Sequence, residues 1–194
     1  MGEGEGRAEH LRKRIDEAFN TVIRKLIDMP VPTIAAVNGV AAGGGYGLAL
    51  ACDLVIAAES ADFILVFTPQ LGLIPDMGSS WHAPRALGRG RALSGAFFGE
   101  PMPAREAANL GLIWKAVPDG ELSGVVEATA RTLSEGPTRA YVAVRHAMDK
   151  ALTQSLPEQL DLEARIQPDL LVSEDFEEAV RAFLAKRKPV FKGK

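Results

Sequence analysis

Three consecutive glycines, Gly43-Gly44-Gly45, stand between two apolar stretches and narrow the fold more than any other feature of the sequence. Before them, Thr33-Ile-Ala-Ala-Val37 reads as a short buried strand and Asn38-Gly39 as a turn. After them, Leu48-Ala-Leu-Ala51 reads as a helix with small residues on its surface, and Asp53 to Ala58 as a second buried strand. Asp62-Phe-Ile-Leu65 adds a third extended piece. Strand, glycine turn, helix and strand in that order predict an α/β layer structure. Glycines in this setting let a ligand oxygen approach backbone N–H groups at a helix start, where the peptide dipoles favour negative charge. Tight packing or a simple turn accounts for a bare glycine run equally well. A nucleotide loop fits poorly. No Gly-Lys-Ser/Thr follows, and no G-x-G-x-x-G leads to a downstream acid.

The flanks have a different texture. Residues 1–10 read as a flexible, polar start, and Leu11 to Met29 carries apolar residues at helical spacing, ended by Pro30 and Pro32. Trp81 to Phe98 is helical by pattern. Pro103 opens another helix through Leu110, which Gly111 stops. Leu112 to Val117 predicts a strand, turned by Pro118-Asp119-Gly120. Beyond it, 122–133, 138–152, 156–171 and 175–186 are helical, and Ser173, Glu174, Asp175 and Glu177 suit the last helix start. The expected organisation is an α/β core over 11–120 and a helical C-terminal region over 121–194.

Composition bears on the partners. With 22 basic and 25 acidic residues in 194, the net charge is −3, and no basic patch for nucleic acid is expected. The longest stretch free of charges and amides, Val40 to Cys52, is too short and glycine-rich to span a bilayer. The start MGEGEGRAEHLRKR has no apolar segment, so no signal peptide is expected. A soluble cytoplasmic protein with neither a nucleic-acid nor a membrane partner follows. Cys52, the lone cysteine, lies in an apolar run and reads as an inert thiol. No His/Cys/Asp/Glu cluster has metal-ligand spacing, so no metal is expected. Ser79 and Ser80 lack a matching His and Asp, which leaves a serine hydrolase unsupported. Phe97, Phe98 and Trp114 read as core.

Pro32-Thr-Ile-Ala-Ala-Val-Asn-Gly39, Ala42-Gly-Gly-Gly45 and Leu48-Ala-Leu-Ala-Cys-Asp53 together resemble the signature of the enoyl-CoA hydratase/isomerase (crotonase) family. The resemblance continues through Ala61-Asp-Phe63, Leu71-Gly-Leu-Ile-Pro75, Pro84-Arg-Ala-Leu-Gly88, Ala104-Arg-Glu-Ala107, Gly111-Leu112 and Phe183-Leu-Ala-Lys-Arg-Lys-Pro189. It covers nearly the whole chain from about Leu11 onward. It implies a crotonase-like ββα superhelix, here N-terminally shortened, whose helical C-terminal region assembles homotrimers or hexamers. It implies an acyl-CoA thioester substrate and no separate cofactor, because coenzyme A is part of that substrate. In the family two backbone N–H groups hold the thioester oxygen as an enolate develops. Gly44 matches the position of one, with Ala42, Gly43 and Gly45 beside it in the substrate site. Lys186, in Lys186-Arg187-Lys188, is simplest as a solvated helix end; the resemblance adds contact with the coenzyme A phosphates.

An oxyanion site moves no proton by itself, so the chemistry depends on a base. Hydratases of the family use two glutamates. The first falls at Gly47 and the second in Phe67-Thr-Pro-Gln70, and neither place holds an acid. The isomerase branches carry an acid directly after the proline of the Leu71-Gly-Leu-Ile-Pro75 motif, and here that residue is Asp76. Trp81 and Gly111-Leu-Ile-Trp114 also resemble the epoxyphenylacetyl-CoA isomerase type, which places Trp81 with the substrate. The expectation is therefore an enoyl-CoA isomerase with Asp76 as its base. The plain alternative makes Asp76 a helix N-cap before Met77. His82, just beyond, reads as a structural imidazole, and His10 and His146 as solvated.

Family members also begin with strands and a loop resembling AFSAGxD, which supplies the second N–H. Nothing before Leu11 resembles that loop. The sequence is thus expected to be either part of a longer protein or a short form with half a site. Beside the isomerase stand two alternatives: a hydratase, and a non-catalytic acyl-CoA-binding or assembly subunit.

Overall fold

The apolar runs on either side of the glycines pair with each other. A computed structural model describes residues 3–194; Met1 and Gly2, part of the expected flexible start, lie outside the described residues. The strands are β1 (Ile34–Val37), β2 (Ala41–Ala42), β3 (Leu54–Ala58), β4 (Asp62–Ile64), β5 (Met102–Pro103) and β6 (Lys115–Val117). β1, β3 and β6 form a parallel sheet with β3 central, in a register that sets Ile34 opposite Leu54. A second sheet has β4 at its centre, parallel to β2 and antiparallel to β5. Thr33 pins the first register: its N–H and hydroxyl donate to Asp53 Oδ2 at 2.7 and 3.0 Å, and its hydroxyl accepts from Asp53 N–H. A central parallel strand is covered on both faces and so needs a continuous apolar run. Val55, Ile56, Ala57 and Ala58 provide it and are all buried.

The helices are α1 (Glu3–Arg14), α2 (Asn20–Ile27), α3 (Gly44–Leu50), α4 (Phe67–Leu71), α5 (Ser79–Leu87), α6 (Arg89–Phe98), α7 (Ala104–Asn109), α8 (Leu122–Ser134), α9 (Thr138–Ala151), α10 (Leu156–Leu171) and α11 (Glu174–Leu184). Several differ from expectation. α1 extends helix back to Glu3, and a π-helical turn over Ile15–Phe19 links it to α2. The single helix read over 81–98 is two, because Gly88 (φ 76, ψ 157) breaks the ladder between α5 and α6. The strand read over 112–117 shortens to β6, since Leu112 and Ile113 N–H bond back to Ala107 O and, of residues 112–114, Trp114 alone sends its N–H to β3, at Val55 O. Phe97, Phe98 and Trp114 are half exposed or more rather than core.

The chain divides into two units. In the first, which includes Thr33–Val126, one core cluster packs Tyr46, Leu50, Val55, Phe63, Leu65 and Leu87, and a smaller one packs Ile56, Ala58, Val117 and Leu122. The second joins Pro30–Pro32 to Glu127–Lys194 and is helical apart from its ends. There Ser173 caps α11 as its position predicts, accepting from Phe176 N–H at 3.1 Å. The tail folds back along α11. Asp175 accepts from the N–H groups of Lys192 and Gly193, and Glu178 accepts two guanidinium bonds from Arg187 and one from Val190 N–H. Those donors hold the Glu178 carboxyl down to about 2. Among the described residues no helix is long and apolar enough to cross a membrane.

Candidate active site

The cradle begins where β2 ends. Gly43 N–H donates to Ile64 O at 3.0 Å, which ties the turn to β4. With φ 54 and ψ −119, Gly43 holds a backbone that a side chain resists, and a Cβ there would press on Val66 and Phe67 at 3.4 Å. The chain then turns directly into α3. Tyr46 and Gly47 return their N–H groups to Gly43 O. Gly44 and Gly45 open the helix, so neither N–H has a carbonyl four residues back within it. The Gly44 and Gly45 N–H groups are therefore left without a partner within the helix.

The segment joining α4 to α5 carries Asp76. Met77 (φ 50) and Gly78 (φ 81) are both left-handed, and Asp76 O accepts from Ser79 N–H at 2.9 Å. Gly78, not Asp76, is the N-cap of α5, and no side chain caps it. The capping role is thus overturned, because the two left-handed residues carry the chain past Asp76 before the helix starts. Asp76 Oδ1 is instead buried with no hydrogen-bond partner. Burial pushes its pKa above the ordinary carboxylate value, opposed by a bond from its own backbone N–H. Ser79 is completely buried and its hydroxyl also lacks a partner.

The two segments meet at Met77. A Cβ on Gly44 would stand 2.8 Å from Met77 Sδ. A Cβ on Gly47 would collide with the Met77 carbonyl oxygen and come within 2.8 Å of Ser79 Oγ. Beside Gly45 the space is open. Sequence reasoning missed Met77 and the burial of Ser79; the one hint was Gly78, which permits the left-handed turn.

The remaining expected residues are more spread out. Ala42 is half-buried at the end of β2. Trp81 is half exposed on α5, with the Arg85 guanidinium 4.0 Å from its ring centroid and Arg85 Nη1 donating to Trp81 O. His82 lies edge-on to Trp81 and beside Gly78; burial first, then Arg85, lowers its pKa and keeps it neutral at neutral pH. Lys186 belongs to the second unit. It is exposed and left-handed (φ 52), and it reverses the chain after α11 as Arg187 N–H bonds to Ala182 O. A shallow depression along α1, lined by Gly6, Arg7, His10, Leu11 and Arg14, shares no residue with the cradle.

Comparison with known proteins now decides the family. The family model described as enoyl-CoA hydratase/isomerase matches residues 2–194. The chain belongs to the enoyl-CoA hydratase/isomerase family. A relative from Rhodobacter capsulatus named "probable enoyl-CoA hydratase" is 45% identical over 194 residues, all of this chain and 75% of that one. The 1,2-epoxyphenylacetyl-CoA isomerase of Escherichia coli is 44% identical over 189 residues, 97% of this chain and 72% of that one. The crystal structure of an enoyl-CoA hydratase from Bacillus anthracis superposes with a TM-score of 0.90 at 32% identity, covering 100% of this chain and 72% of that one. The protein is an enzyme of this family with the crotonase fold, mostly helical and with two small sheets.

Proposed function

We propose that this crotonase-family enzyme isomerises an enoyl-CoA thioester by moving a double bond or a ring bond. Asp76 is its only proton-transfer base, and the N–H of Gly44 binds the thioester oxygen. For a 3-enoyl-CoA, the Asp76 carboxylate takes a proton from C2 and the electron pair moves into the thioester carbonyl. The resulting oxyanion rests on Gly44 N–H, and Asp76 returns the proton to C4 as the carbonyl reforms. One donor of this kind is worth about 3 kcal/mol in the transition state. A carboxyl raised by burial suits both halves of the cycle, because a base that must also act as an acid works best near the ambient pH.

The observation that carries this reading is the blocked face of α3. Position 47, where a hydratase glutamate would stand, has its side-chain space taken by the Met77 carbonyl. The isomerase name of the Escherichia coli relative supports the same choice. Ala42, Gly43 and Gly45 frame the thioester and Trp81 lines the substrate. No cofactor beyond the substrate is involved. The enzyme works as a soluble cytoplasmic homotrimer or hexamer joined through its helical C-terminal region.

Purified protein given a 3-enoyl-CoA should form the conjugated 2-enoyl-CoA, followed by its ultraviolet absorbance. Given a 2-enoyl-CoA in water, it should form little 3-hydroxyacyl-CoA. Asp76→Asn should slow isomerisation by about 10²–10⁴-fold. Isomerisation that survives Asp76→Asn, or hydration as fast as isomerisation, would overturn the proposal.

A further inference from the structure

Among the described non-glycine residues, only Met77 and Lys186 have a left-handed backbone. A side chain disfavours that conformation, so it persists where the surroundings enforce it, and it gathers at ligand sites. At Met77 the turn lays the side chain along α3. Its Sδ stands 2.8 Å, and its Cβ 2.9 Å, from where Cβ atoms on Gly44 and Gly47 would be. Residues three apart share a helix face, so Met77 covers the face of α3 that carries Gly44 and Gly47. The Ser79 hydroxyl, fully buried and unpartnered, lies on that face too, while the space beside Gly45 is open.

An oxygen bound by Gly44 N–H sits about 2.9 Å from that nitrogen. The α carbon of the acyl group is two bonds further on. The Met77 thioether, in contact with Gly44, is then a side chain beside that carbon, together with the Asp76 carboxyl that takes its proton. We infer that Met77 is the specificity-determining wall of the acyl site, admitting acyl groups unbranched at the α carbon and rejecting those with an α-methyl group. The assignment rests on Gly44 as the oxyanion donor. It adds a reason for the glycine at position 44, since the thioether needs the room a Cβ would take.

Calorimetric titration with butyryl-CoA and 2-methylbutyryl-CoA tests it, because both are saturated and undergo no double-bond shift. The wild type should prefer butyryl-CoA by about tenfold or more, the usual discrimination of one methyl group in an apolar site. Met77→Ala should cut the preference to within about threefold, and Met77→Leu, which keeps the bulk, should retain it. Met77→Gly accepts the left-handed φ and serves as a second cavity variant if Met77→Ala misfolds. A preference unchanged in the cavity variants, or equal weakening of both ligands, overturns the role of Met77 and leaves the isomerase reading standing. An intact preference in a protein that moves no double bond overturns the isomerase reading and leaves Met77 standing. Failure of the wild type to bind butyryl-CoA overturns both.

Discussion

Asp76 links chemistry to stability with opposite signs. Its buried, partnerless Oδ1 raises the carboxyl above its ordinary pKa. Between the unfolded value and the raised folded value, the native state binds more protons than the unfolded chain. The contribution of this group to stability therefore falls as pH rises through that window, and at neutral pH the buried charge is a net cost. Asp76→Asn removes the charge and keeps the shape. It should melt above the wild type at about pH 7, with the gap closing as the wild-type carboxyl becomes protonated in acid. The acid limb of kcat/KM should likewise lie above an ordinary aspartate value of about 3.9. Thermal melts and initial rates across pH check both, and an Asn variant less stable at neutral pH would count against the burial argument. Gly47 makes the complementary case. Gly47→Glu restores a hydratase-type acid to the sequence but drives a side chain into the Met77 carbonyl. It should lose about 1–3 kcal/mol in urea denaturation, as overpacking does, and should gain no hydratase activity.

At the scale of elements, the caps and breaks decide where helices lie. Ser173 is nearly buried; its hydroxyl accepts from Phe176 N–H and donates to Leu170 O at 2.6 Å. Ser173→Ala leaves both groups without that partner and should cost about 1–2 kcal/mol in denaturant titration. That cap was legible beforehand because a serine followed by acids is a local signal. So were β1, α3 and β3, because uninterrupted apolar runs around a glycine turn leave few other arrangements. Gly88 was less legible: a glycine within a helical pattern is usually tolerated, and only its dihedrals show that α5 and α6 separate there. The candidate site divides in the same way. Gly44 and Asp76 stand in recognisable motifs, whereas the contact of Met77 with Gly44 and Gly47 is made through space, between segments far apart in the chain. No periodicity records such a contact. The half-exposed Phe97, Phe98 and Trp114 were misread because apolar character alone does not distinguish a core from a surface awaiting a partner.

On the scale of the whole molecule, that exposed apolar surface bears on assembly. In the second unit Phe183, Leu184 and Val172 are 82%, 75% and 80% exposed, and in the first Ile74 is 80% exposed. Single apolar residues on a surface are ordinary, but bulky ones grouped along one helix mark a contact. Phe183 and Leu184 end α11, a helix whose opposite side holds the buried Ala182 and the folded-back tail. A closed trimer would use them heterologously, a patch on one copy meeting a different surface on the next. Each such side chain contributes about 1.5–3 kcal/mol when fully covered, so a few per copy would be enough to hold such a ring together at micromolar concentration. Light scattering on the wild type should therefore give three or six times the chain mass of 20.7 kDa. Phe183→Asp combined with Leu184→Asp should shift the protein to monomer while the helical circular dichroism persists, because neither side chain is in the core. A double variant that remains trimeric would place the assembly surface elsewhere, and a wild type that stays monomeric at tens of micromolar would overturn the assembly.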